Sequence, residues 1–190
     1  MKVSSIISNF ILKITFIVTI IGLTVISCKK RINENSNKKN MTNEFISRLH
    51  TPDFDTDYYK ILGKTSLEKH VSDFHKINWE EDFWGEYDSG NFNMSDLEVF
   101  NVNDLKYLAI RTAPNTDTTY QFIIGLGTHT ETNNSNESKR KVKLYYTEKE
   151  SREVPLRFIE YFFKGDYEKI NKELAEYDVD EIEDVYYNIE

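Results

Sequence analysis

Four histidines, one cysteine and 32 acidic side chains are the groups in this 190-residue chain that could do chemistry. His70 and His75 stand five apart on a segment with helical spacing. A zinc pair on one helical face needs i, i+3 or i, i+4, so they do not read as ligands. His50 has no patterned partner, and His129 lies in a polar stretch between Thr128 and Thr130. Asp53-Phe54-Asp55-Thr56-Asp57 opens like a calcium loop, but the full loop needs Gly where Tyr58 stands and Glu where Lys64 stands. Gly125-Leu126-Gly127 lacks the third glycine and the lysine of a phosphate-cradling loop. It reads instead as a strand end where backbones approach closely. No nucleophile elbow of the G-x-S-x-G kind is present. The sequence therefore supplies no catalytic residue, no metal site and no cofactor.

Two acidic features stand out. Residues 79–88 (WEEDFWGEYD) carry five acids and four aromatics in ten positions. Trp79, Trp84 and Tyr87 could form a recognition surface, because rigid aromatics supply large contact area. They could equally be core, with Trp79, Phe83 and Tyr87 turned inward and the acids facing water. The second feature is the C-terminus, where residues 176–190 hold seven acids and no basic residue. Asp180, Glu181, Glu183 and Asp184 could draw in a basic protein partner, speeding association more than adding affinity. Val179, Ile182, Val185, Tyr186 and Ile189 recur at three-to-four spacing, which suggests a last helix with a solvated acidic face.

The formal net charge is −8, which argues against a nucleic-acid partner. Residues 1–27 contain Lys2 and Lys13 and no acid, so removing those two lysines deepens the charge to −10. Residues 14–26 (ITFIVTIIGLTVI) are uncharged and mostly apolar, and Ser27 and Cys28 follow. A basic start, an apolar stretch of ~7–15 residues and a small residue at the cut describe a secretory signal peptide. The apolar run is shorter than the ~20 residues a spanning helix needs.

Val25-Ile26-Ser27-Cys28 resembles the lipobox of bacterial lipoproteins, with aliphatic Val25, small Ser27 and the acceptor Cys28. The resemblance covers about 28 residues. It implies cleavage between Ser27 and Cys28 and attachment of lipid to Cys28, so that two or three acyl chains hold the chain at a membrane. Lys29 is not the Asp that often retains such proteins at the inner membrane, so the resemblance implies an outer membrane, and the basic Lys29-Lys30-Arg31, where surface-exported lipoproteins carry acids, implies its periplasmic face. It says nothing about the remaining residues.

The elements that must position the candidate residues follow in order. Residues 29–43 are polar and read as a flexible tether, which leaves 44–190 as a single domain. Thr65-Ser66-Leu67-Glu68 has capping-box spacing, and Leu67, Val71 and Phe74 predict a helix over 66–76. Residues 97–100, 105–111, 120–126 and 142–146 read as strands, with Asn103-Asp104 as a tight turn and 128–140 as a polar hairpin tip. Pro155 suits the first position of a helix whose face is Leu156, Ile159, Phe162 and Phe163. Gly165 reads as its C-cap. Asp166 reads as the N-cap of a further helix bearing Ile170, Leu174 and Tyr177. The expected class is α+β, an antiparallel meander of four or five strands with helices packed on one face.

The expected function is a membrane-anchored binding domain for a protein or envelope partner, with a toxin-inhibiting immunity protein as its sharper form. The alternatives are a glycan hydrolase with paired carboxylates beside a tryptophan and a structural lipoprotein of the envelope.

Overall fold

The computed structural model describes residues 43–55, 58–130 and 137–187, of which 129, 130, 137–140 and 183–187 are described by backbone alone. Ser27, Cys28, the signal segment, the tether through residue 42 and the hairpin tip at 131–136 lie outside the described residues.

The class is α+β, and the sheet is antiparallel throughout, with seven strands among the described residues rather than four or five. In chain order these are β1 (Phe45–His50), β2 (Lys60–Lys64), β3 (Asp96–Asn101), β4 (Lys106–Thr116), β5 (Thr119–Thr130), β6 (Glu137–Tyr146) and β7 (Asp178–Tyr187). They lie side by side as β2-β1-β3-β4-β5-β6-β7. Four helices interrupt them: α1 (Leu67–Lys76) and α2 (Trp79–Ser89) between β2 and β3, and α3 (Glu153–Lys164) and α4 (Tyr167–Leu174) between β6 and β7.

Strand parity decides where the core sits. Leu97, Val99, Leu108, Ile110, Phe122 and Ile124 point to one face, and the buried apolar side chains of all four helices join them in one cluster. Its largest fully buried members are Trp79, Phe74, Phe83, Phe122, Phe158 and Phe162. Each contributes on the order of 1.5–3 kcal/mol by leaving water. Tyr107, Ile123, Val142 and Leu144 form a smaller cluster of the opposite parity.

Local rules account for the helix ends, with small corrections. Ser66, not Thr65, caps α1, and its side chain accepts from the Lys69 amide at 3.3 Å. His70 joins Phe74 on the buried side of α1. Pro155 falls third in α3 rather than first, still within the turn whose amides have no helical acceptor. The buried face of α3 centres on Val154, Phe158, Ile159 and Phe162, while Leu156 and Phe163 are half-buried. Gly165 ends α3 at φ 74°. The Asp166 amide then reaches back to the Tyr161 carbonyl at 3.0 Å, which closes the last turn. Asp166 occupies the N-cap of α4 without making a side-chain cap bond.

The C-terminal acids are on a strand, not a helix. β7 pairs with β6 so that Glu181 faces Lys143, Glu183 faces Lys141 and Asp184 faces Arg140. Opposite charges directly across an antiparallel pair stabilise it. A run of acids with low strand propensity is thereby held in the sheet by the basic strand beside it.

Candidate partner-binding surface

Helix α2 is built from the acidic aromatic segment. Glu80, Glu81 and Asp82 occupy its first turn, where carboxylates complement the helix dipole. Asp82 Oδ2 accepts from Ser95 Oγ at 2.5 Å, tying the helix to the residue before β3. Trp79 and Phe83 are fully buried, and Trp79 Nε1 donates to the Phe74 carbonyl at 3.0 Å. Trp79 therefore offers nothing to a partner and no platform to a sugar ring, which corrects its assignment as a candidate contact. Trp84 and Tyr87 are half-buried, with ring centroids 5.7 Å apart and edge to face.

The segment that follows completes the patch. Gly90 ends α2 at φ 72°, and the Asn91 amide donates to the Glu86 carbonyl at 3.2 Å. Phe92 then adopts φ 56°, a left-handed backbone that costs a non-glycine residue about 1–3 kcal/mol. Its ring is 57% exposed and meets Tyr87 edge-on at 5.9 Å. Trp84, Tyr87 and Phe92 thus form a continuous aromatic strip. Glu80, Glu81 and Asp88 are exposed and lie three or four residues from Trp84, on its side of the helix. From residue 77 to residue 105 the chain contains no Lys, Arg or His.

Asn93 holds Phe92 in place. Its backbone amide donates to Glu86 Oε2 at 3.2 Å, and its side-chain amide donates to the carbonyls of Pro52 and Phe54 at 3.2 and 2.9 Å. The left-handed backbone at Phe92 is held against this bracing.

Asp180 and Glu181 are exposed on β7. Asp180 accepts from the Tyr146 hydroxyl at 3.0 Å, and Glu181 stands 3.8 Å from Lys143. Of Glu183 and Asp184 only the backbone register is described. Part of the charge once available to a basic partner is therefore turned toward β6.

Sequence reasoning missed a buried ionic ladder across β1, β3 and β4. Arg48 Nε lies 2.5 Å from Glu98 Oε2, and Arg111 lies 2.5 Å from Asp96 Oδ2. The Tyr59 hydroxyl donates to Asp96 at 2.8 Å, and the Arg48 guanidinium lies 4.0 Å from the Tyr59 ring centroid. Burial, reinforced by the Asp96 and Glu98 charges, pushes the Tyr59 hydroxyl far above its usual range, so it stays a donor. A one-residue slip of β1 would send Arg48 to the helix side, so the ladder specifies register.

His70 is also buried. Its Nδ1 bonds Ser47 Oγ at 2.9 Å, and its ring lies 5.6 Å from Phe163. Burial lowers its pKa to about 4, against a smaller opposing effect of the Asp73 charge. It is a neutral core side chain.

Among the described residues no group of three or more His, Cys, Asp or Glu side chains is placed to hold a metal ion. No helix among them is long and apolar enough to cross a membrane. Compared with protein-family models, with curated proteins and with solved structures, the chain matches none of them.

Proposed function

We propose that the chain is an envelope lipoprotein, cut after Ser27 and held at a membrane by acyl chains on Cys28, whose domain is a non-enzymatic binding module for a basic protein partner. One observation carries the binding reading. The strip Trp84–Tyr87–Phe92 is aromatic and partly exposed, lies among exposed carboxylates, and ends on a left-handed residue whose neighbour Asn93 is bonded from below. Aromatic anchors fixed in advance bind with little ordering cost, and the surrounding acids select a cationic partner. An immunity protein that blocks a basic toxin reaching the envelope is the sharper form of this reading. The lipobox and Lys29 support outer-membrane placement on the periplasmic face.

A photo-activated cross-linker at position 92 of the full chain, in native membranes, should give one discrete adduct. The same cross-linker at exposed Val179 on β7 should not. Equal adducts from both positions would remove α2 as the binding face. Metabolic labelling with fatty acid tests the anchor separately, since Cys28→Ala should abolish both label and processing.

A further inference from the structure

In a chain where acids outnumber bases by 32 to 24, five lysines line two clefts that share residues. An open cleft of about 850 Å³ is lined by Lys106, Lys169 and Lys172 beside the first residues of α4. A second of about 280 Å³ shares Lys106 and Tyr167 and adds Lys141 and Lys143. Asp166, Glu168 and Glu181 also line them, so five lysines stand against three carboxylates across the two. Lys106 Nζ sits 3.7 Å above the Tyr167 ring, and Lys169 Nζ sits 4.0 Å above that of Tyr161, which orients both ammonium groups. Asp166 does not cap α4 with its side chain. The helix thus begins at the larger cleft with no bond from the Asp166 carboxylate to its first amides. Lysines around an uncapped helix start suit a phosphate group.

The place of this cleft on the domain adds a second argument. The Tyr167 hydroxyl accepts from Asn101 at the end of β3 and donates to Asp104 in the turn that follows, each at 2.9 Å. The adjacent Asn103 accepts from the Glu44 amide at 2.7 Å. The domain's first residues and the lysine cleft are thus fastened to the same turn. On the proposal that the chain is tethered through its N-terminus, the tether enters the domain at that turn. We infer that the lysine cleft binds the phosphates of anionic membrane lipids, seating the domain on the bilayer to which it is tethered. The shared chemistry is phosphate, and the lipid surface is the source to which the position of Glu44 points. A juxtamembrane lysine near an anionic surface strengthens such binding roughly fivefold.

The test uses the full chain reconstituted into vesicles of phosphatidylcholine alone or mixed with phosphatidylglycerol, reading amide hydrogen exchange. Exchange at 104–107 and 165–172 should slow several-fold on the mixed vesicles, and added salt should reverse this. Lys169→Gln with Lys172→Gln should remove most of the effect. Both side chains are exposed, so the pair leaves the core intact. Lys106→Glu should remove the rest, with the unfolding midpoint checking that it folds. Equal exchange on the two vesicles, with the chain retained on both, would overturn the inference and leave the tether standing. Retention on mixed vesicles alone, lost in the lysine variants, would support the cleft and overturn the tether. Loss from both vesicles would overturn both. Slowing at the same amides when inorganic phosphate is added to neutral vesicles would assign the site to free phosphate and overturn the lipid source.

Discussion

The side-chain oxygen of Asn93 stands 2.9 Å from His50 Nε2, while Nδ1 of the same ring stands 2.7 Å from the Tyr58 carbonyl. With the bonds from Asn93 to Pro52 and Phe54, this pair joins the end of β1, the 51–59 segment and the residues that present Phe92. Asn93→Ala leaves a buried imidazole nitrogen and two carbonyls without their partner. Unfolding in urea should show a loss of about 1–3 kcal/mol. Exchange of amides 90–93 should rise further than that global loss accounts for, because the strained backbone at Phe92 loses its brace.

His70 makes stability depend on pH. Its folded pKa of about 4 lies below the usual 6.5, so between those values the unfolded chain binds the extra proton. Stability contributed by the neutral ring is complete above about pH 6.5 and is lost as pH falls toward 4. The loss amounts to roughly 3 kcal/mol for a ring with no solvent exposure. Chemical denaturation of the wild type and of His70→Gln across that window should show the wild type losing stability more steeply. Parallel curves would show that the ring does not titrate as its burial requires.

Two glycines should respond oppositely to a methyl group. A Cβ on Gly127 would stand 2.2 Å from Tyr107 Oη and 2.5 Å from the Lys141 carbonyl, whereas one on Gly85 would meet nothing within 4 Å. Gly127→Ala should cost about 1–3 kcal/mol through overpacking. Gly85→Ala, inside α2, should raise stability by about 0.5–1 kcal/mol. Thermal melts of the two variants decide the contrast.

Elements with strong local patterns were legible in the sequence. These include α1, the Asn103-Asp104 turn, the alternating core of β5 and the Gly165 cap, all set by neighbours within a few residues. The missed strands depend on distant partners. In β1, Arg48 and His50 fall where a strand buried on both faces would show apolar residues. Arg48 belongs in the sheet because Glu98 lies beside it, 50 positions away. β7 carried helical spacing in Val179, Ile182 and Val185, and the basic register of β6 overrides it. β2 is five residues long and interrupted by Gly63. At the candidate site, Trp84 and Tyr87 were legible as aromatics among acids. The helix phase that buries Trp79 was legible only as one of two readings. Phe92 was not, because its place depends on two left-handed residues, Gly90 and Phe92, on either side of Asn91. The lysine cleft gathers residues from β4, β6 and α4 that no local window brings together.

The central claim is that the strip of Trp84, Tyr87 and Phe92, on α2 and just beyond it, grips a partner. The most direct measurement is capture by the full chain from solubilised native membranes, comparing wild type with Trp84→Ala/Phe92→Ala. Truncating two anchors should lower recovery of the specifically captured protein by at least about thirtyfold, at roughly 1 kcal/mol or more per anchor. Trp84 packs partly against the core, so the unfolding midpoint should fall, and recovery is compared at a temperature where both proteins are folded. Equal recovery by a folded double variant would contradict the account.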